Sequence, residues 1–157
     1  MFLSVHTSFT LLLGSRWWKI NFWLAFIVGV LSHFVLDFIP HGDESLVLTW
    51  LILAVDVLFA CLLIFWYFKK SAQANKWVLL VLVLSSWVPD AMRLVPIIFD
   101  WHFMDWLIHF HDSIHNYFDI SFSMLTGLAA QGIFILIFMS LAWNHKLPSN
   151  QSFKIVR

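Results

Sequence analysis

The sequence predicts an all-α integral membrane protein, a helical bundle of about five spans with one further amphipathic helix at the membrane interface. Three observations predict it. Apolar residue types make up 61% of the chain and charged ones 11%, against roughly 45–50% and 25% in soluble domains. The apolar residues fall in long runs near the ~20 residues that a spanning helix needs. Lys and Arg gather at the ends of those runs, where they set orientation. No repeat, low-complexity tract or long linker divides the 157 residues, so one transmembrane domain is expected over 1–157.

Each element follows from the pattern. Met1 to Gly14 is apolar but short for a span, and carries His6; no basic residue precedes its apolar part, so it is not expected to be a signal peptide. Arg16 and Lys19 follow it. Phe22 to Ile39 is a second run, ended by Pro40 and Gly42, which break helices. The turn His41 to Ser45 is acidic. Leu46 to Phe68 is a third run, interrupted only by Asp56 and stopped by Lys69 and Lys70. Trp77 to about Phe99 is a fourth; Pro89, Asp90 and Arg93 in its second half predict a kinked or unwound stretch. In Asp100 to Asp119, Trp106, Leu107, Phe110, Ile114 and Phe118 recur at helical spacing on one side. Asp105, His109, Asp112 and Asn116 fall on the other, with His111 and His115 at the border. That is an amphipathic interfacial helix. Ile120 to Trp143 is the last span, with Gly127, Ala129, Ala130 and Gly132 suited to close packing. The lone Cys61 excludes an internal disulfide and a Cys-type zinc site, and is expected to be a small buried apolar residue.

Charge placement orients the bundle. With the N-terminus outside and the C-terminus in the cytoplasm of a bacterial inner membrane, eight of the nine basic residues fall inside, Arg93 being the exception. No other arrangement of five spans does as well. The same arrangement puts all nine acidic residues, and every histidine except His145, in or on the outer half. His6, His33, Asp37, His41, Asp43, Asp56, Asp90, His111 and His115 can then meet at one depth. Asp56 reaches that depth about 15 Å along its helix from Leu46.

The central motif is Leu31 to Glu44. His33 and Asp37 are one helical turn apart on one face. A charged Asp within a membrane costs several kcal/mol unless paired or hydrated, and Asp37, Asp56 and Asp90 have only Arg93 and the histidines as basic neighbours at their level. Carboxylates brought close together repel each other and stay protonated; a divalent cation removes that penalty. Imidazole with carboxylate and no thiolate suits zinc first, with manganese or iron as alternatives. The candidate ligands are His6, His33, Asp37, Asp90, His111 and His115, with Asp43 or Asp56 as the carboxylate that takes a proton from water. Each has a plainer reading. His33 and Asp37 can pin two helices together, Asp90 can pair with Arg93, and Asp56 can be a structural hydrogen-bonding group. His41 and Asp43 can be turn residues. His111 and His115 can face solvent, as His102 and His109 are expected to.

His6, Leu-Ser-His-Phe-Val-Leu-Asp at 31–37, Pro-Asp at 89–90 and His-Asp-Ser-Ile-His at 111–115 resemble the motifs of small bacterial inner-membrane proteins grouped as predicted metal-dependent hydrolases. That family has an N-terminal His, a Ser-His-x-x-x-Asp helix, a Pro-Asp step and a paired-His motif. The motif order differs here, since Pro-Asp and the paired His come first in the family, and Asp90 is followed by Ala91 and Met92 rather than by a second acid. A sister group with permuted order fits both departures. The resemblance implies a membrane-embedded hydrolase using a divalent metal.

From the residues, the leading expectation is hydrolysis of an ester or phosphoester, lipid-linked or periplasmic, at the outer membrane surface. The bilayer is the expected partner; nucleic acid is not. The alternatives are a metal-ion or proton transporter or relay, a haem-binding anchor, and a structural membrane protein without catalysis. The one-sided polar cluster and the lack of an inverted repeat disfavour transport, and the accompanying Asp residues disfavour haem.

Overall fold

The computed structural model describes residues 2–16, 19–39, 50–70, 76–102, 105–115 and 124–144, with the side chains at 50–52, 94, 97, 115, 124 and 125 outside that description. The described residues are all-helical, with six helices and no strand: α1 Leu3–Arg16, α2 Phe22–Asp37, α3 Trp50–Lys70, α4 Lys76–Phe99, α5 Asp105–His115 and α6 Met124–Asn144. Asn21 starts α2, its side chain accepting from the Leu24 N–H at 2.8 Å, as N-cap residues do.

The short helix is the middle of the molecule. α1 has 14 residues, about 21 Å of helix, and packs against α2, α3, α4 and α6. Its buried residues include Ser4, Thr7, Ser8, Thr10 and Ser15 beside Val5, Leu11 and Leu12. Such hydroxyls are tolerated because they bond to their own helix: Ser8 donates to the Val5 carbonyl at 2.8 Å, Thr10 to that of His6 at 2.9 Å, and Ser15 to that of Leu12 at 2.6 Å. Thr7 also accepts from the Trp87 indole N–H at 3.0 Å.

Pairings along the helices fix their directions. Leu3 and Ser4 meet Asp56 of α3, while Leu11 and Leu12 share a core cluster with Tyr67 of α3 and Ala142 of α6. Phe2, at the start of α1, meets Gln131 of α6. So α1, α3 and α6 run one way. Gly29 lies on Leu82 and Ser85, and His33 on Ser86, so α2 and α4 run alongside one another. Thr7 meets Trp87 and Gly14 meets Leu79, so this pair runs against α1. Arg16, Lys69, Lys70 and Lys76 therefore share one end of the bundle. There Trp66 and Trp143 stack with ring centroids 4.8 Å apart, and Lys70 lies over the Trp143 ring.

α2 and α4 form the most extensive pair. Gly29 permits it: a Cβ there would overlap Ser85 Oγ and the Leu82 carbonyl. The faces turned away from the bundle are large and apolar, with Trp23, Ile27 and Val35 on α2, Val55, Leu58 and Phe65 on α3, and Ile133 and Leu136 on α6 all exposed.

Several expectations change. Among the described residues one helix, over Thr126–Asn144, is long and apolar enough to cross a membrane by length and composition, and Phe22–Asp37 is apolar but shorter; the structure is helical as expected, but it does not by itself count five spans. α4 is not unwound: it stays helical through both Pro89 and Pro96. Cys61 is exposed rather than buried. Among the described residues a Cβ at Gly132 would meet nothing within 4 Å, rather than the close helix contact expected there. On α5, Ile114 and His111 are buried while Trp106 and Phe110 are exposed. The helix is turned so that His111 lies within its inner face, not at its border.

Candidate metal centre

Five of the residues singled out in the sequence come together from four helices: His6 of α1, His33 and Asp37 of α2, Asp90 of α4 and His111 of α5. His6, His33 and Asp37 are almost wholly buried, as is His111. The Asp90 side chain is 24% exposed, so the cluster reaches the surface on that side. Direction explains the meeting. The start of α1 lies beside the end of α2 because the two are antiparallel, and α4 runs alongside α2 in a register that puts Asp90 opposite the last turn.

Four atoms converge. His33 Nε2 lies 2.8 Å from Asp37 Oδ2 and 2.9 Å from His111 Nε2. His111 Nε2 lies 3.2 Å from Asp37 Oδ2. Asp90 Oδ1 lies 3.7 Å from both imidazole nitrogens. These are five of the six edges of a four-atom ligand set. Zinc bonds to nitrogen and oxygen of about 2.0–2.2 Å make a tetrahedron with edges near 3.4 Å, and the observed edges fall on either side of that length. His33, Asp37 and His111 form one possible trio of ligands, and His6, His33 and Asp90 a second.

The ring of His33 is oriented from outside the cluster. Its Nδ1 lies 2.8 Å from the Ser86 carbonyl oxygen. A carbonyl only accepts, so Nδ1 carries the proton and Nε2 presents its lone pair to the centre, the arrangement metal-binding histidines use. Ser86, whose carbonyl accepts from that ring, and Asp90 are one turn apart on α4, so four-residue spacing sets the acceptor and the carboxylate on one face. His6 stacks on His33 with centroids 4.2 Å apart and 14° between the planes. Its Nε2 is 3.4 Å from Asp37 Oδ1, and among the described residues neither of its ring nitrogens has a hydrogen-bond partner. A buried polar ring left in that condition costs about 1–3 kcal/mol, a debt that a bound cation would remove.

Of the remaining candidates, Asp56 lies elsewhere. Asp56 is buried at the start of α1, where its carboxylate accepts from the Leu3 N–H at 2.7 Å, from the Ser4 N–H at 3.2 Å and from the Ser4 hydroxyl. It is an N-cap supplied by a neighbouring helix. Gln131 completes it, accepting from the Phe2 N–H at 2.7 Å. His115 ends α5, one turn beyond His111, with its side chain outside the described residues; His41 and Asp43 lie outside them too. Arg93 reaches Asp112 at 3.2 Å, a pair that sequence reasoning missed because it placed Asp112 on the wet face of α5. His102 and His109 are exposed, as expected. Ser86 was also missed as a partner of the site; a serine before Pro-Asp carries no signal that its carbonyl will be used.

What the arrangement can do chemically is hold a divalent ion. Three imidazoles in their neutral, metal-binding form and two carboxylates would balance a charge of two. No family model, curated relative or solved structure matches the chain.

Proposed function

We propose that the protein is a membrane-embedded, metal-dependent hydrolase that cleaves an ester or phosphoester at the extracytoplasmic surface of the bacterial inner membrane. The observation that carries this reading is the convergence of His33 Nε2, His111 Nε2, Asp37 Oδ2 and Asp90 Oδ1 at distances of 2.8–3.7 Å. The ligand types favour zinc, with manganese or iron next. Once bound, such an ion supplies Lewis-acid activation of water and of the scissile carbonyl or phosphoryl group. The chain's own residues do the rest. The Ser86 carbonyl keeps His33 in one tautomer and one orientation. Asp37, between three histidines, sets the charge. His33, Asp37 and His111 would hold the ion and leave a position open. Asp90, partly exposed and at 3.7 Å the farthest of the four groups, lies where substrate enters. It is the carboxylate placed to take a proton, which Asp56, committed to α1, is not.

Five passes through the bilayer are part of the same reading. Alternating helix directions support it, as do outward faces of large apolar side chains and the Lys–Trp layer at one end. The basic end is cytoplasmic and the His/Asp end extracytoplasmic, with α1 entering only part of the ~30 Å core. Its first N–H groups, which nothing in lipid would satisfy, are met by Asp56 and Gln131. This also weighs against a proton or ion relay: Gln131 is occupied as a cap, and the hydroxyls of Ser8, Thr10 and Ser15 bond to their own helix.

The test is elemental analysis of the full chain purified in detergent, followed by assay on nitrophenyl esters and phosphoesters. One zinc or manganese per chain is expected, absent from His33→Ala and His111→Ala, with turnover that follows the metal. A folded protein that takes up no divalent ion on titration overturns the reading. Bound metal without turnover of either ester class overturns the hydrolase and leaves a cation site.

A further inference from the structure

Beside the His/Asp cluster lies a cavity of about 180 Å³. Its walls come from three helices, among them Phe26, Val30 and Phe34 of α2, Met92 of α4, and Ile108 and His111 of α5. The α2 residues recur every fourth position, so they form one stripe along about 12 Å of helix. His111 is the one polar side chain in the walls, and its ring also belongs to the cluster. Elsewhere the two linings run side by side: Phe34 follows His33, and Pro89, also in the wall, precedes Asp90.

We infer that this cavity holds the hydrocarbon chain of the substrate, so that the ester hydrolysed is that of an acyl lipid and not of a water-soluble metabolite. The inference rests on the hydrolase reading for the ester, but the cavity stands on its own geometry. A space lined this way offers water one polar partner, and buried water needs two or more. Enclosed apolar cavities of about 150 Å³ take up hydrocarbon, and this one, open on one side, has the same kind of lining. Its lower end is bounded by Phe26, which is 41% exposed on an outward apolar face, so a chain can enter sideways from the bilayer. Its other end is the His111 ring. A molecule filling both places must be polar at the cluster and apolar for about 12 Å beneath it, which describes one chain of a membrane lipid with its ester at the head.

The experiment is photolabelling of the full chain in nanodiscs with a phosphatidylcholine bearing a diazirine in one acyl chain, mapped by peptide mass spectrometry. Labelling concentrated on Phe26–Phe34 and Val88–Met92, above that on the outward face of α3, is expected. It falls severalfold in Val30→Trp, and in Met92→Trp, each of which fills the cavity; retained metal shows that the variant is folded. Labelling spread evenly over all outward faces in the unsubstituted protein overturns the inference. In parallel, nitrophenyl esters of two to sixteen carbons are assayed. If the groove is labelled but no ester turns over, the hydrolase fails and the chain site stands. If esters turn over without regard to chain length and labelling is even, the chain site fails and the hydrolase stands.

Discussion

Asp37 and Asp56 are both buried carboxylates in apolar helices, and their partners give them opposite roles. Asp56 accepts from two backbone N–H groups and a hydroxyl at the start of α1. Removing it leaves those donors buried without acceptors, at about 1–3 kcal/mol. Asp56→Ala should lower the thermal midpoint in detergent while the metal content per folded chain stays unchanged. Asp37 sits among imidazoles whose nitrogens point at it. Asp37→Asn should abolish metal uptake yet leave the metal-free protein as stable or more so, because an amide costs less to bury than a carboxylate. Calorimetry with and without added zinc separates the two variants, and equal behaviour would show that one assignment is wrong. The sequence makes the His33–Asp37 pair legible because four-residue spacing on a helix fixes a shared face. It could not assign Asp56. A lone Asp in an apolar run looks the same whether its partner is an ion or a helix end more than fifty residues away in the chain.

α2 and α5 show how a whole helix positions a ligand. Gly29 is one turn before His33 on the same face, where α2 lies directly on Leu82 and Ser85 of α4. Gly29→Ala forces the helices apart just where His33 meets the Ser86 carbonyl. Overpacking of this kind costs about 1–3 kcal/mol, and metal affinity, read by competition with a zinc dye, should fall along with stability. α5 rests on α2 and α4 alone among the more extensive contacts, and its first turn is tied by His102, whose Nε2 is 3.1 Å from Asp100 and whose Nδ1 is 3.2 Å from Asp105. The hydrogen bond to Asp100 first, and the charge of Asp105 next, raise the His102 pKa above its usual 6.5. A histidine raised by folding contributes fully below its unfolded pKa, and the contribution is lost as pH climbs through the folded value. Exchange of the Trp106–Ile108 amides should therefore quicken, relative to the intrinsic rate, as pH rises from 6.5 upward through the raised His102 pKa; His102→Gln should be fast throughout. The amphipathic pattern revealed that α5 exists but not how it is turned. Periodicity grouped Trp106 and Phe110 with Ile114 on one apolar face and left His111 at its border, whereas the cluster draws His111 inward with Ile114 and leaves the two aromatic rings exposed.

At the scale of the molecule, the centre joins helices that the sequence separates: its four converging atoms come from α2, α4 and α5, and His6 adds α1. An ion held this way stabilises the assembled state by mass action, so chelation should lower the thermal midpoint and free α5 first, since α5 has the fewest other attachments. Helix order and direction were legible because lysines, arginines and tryptophans mark the ends of each run. Close packing was not: Gly132, expected at a helix contact, meets no described neighbour, while Gly29, for which no role was expected, lies on α4. The orientation in the membrane gives the most exposed prediction. On a Cys61→Ala background, a cysteine is placed at His109, exposed on α5, or at Lys76, exposed at the basic end. A membrane-impermeant maleimide applied to bacteria whose outer membrane has been made permeable should label His109→Cys in intact cells, and Lys76→Cys only after the inner membrane is lysed. The reverse pattern would turn the site toward the cytoplasm and remove periplasmic substrates from consideration. Equal labelling before lysis would mean that the basic end and the His/Asp end lie on the same side, which the alternating helix directions do not permit in a bundle that crosses the bilayer.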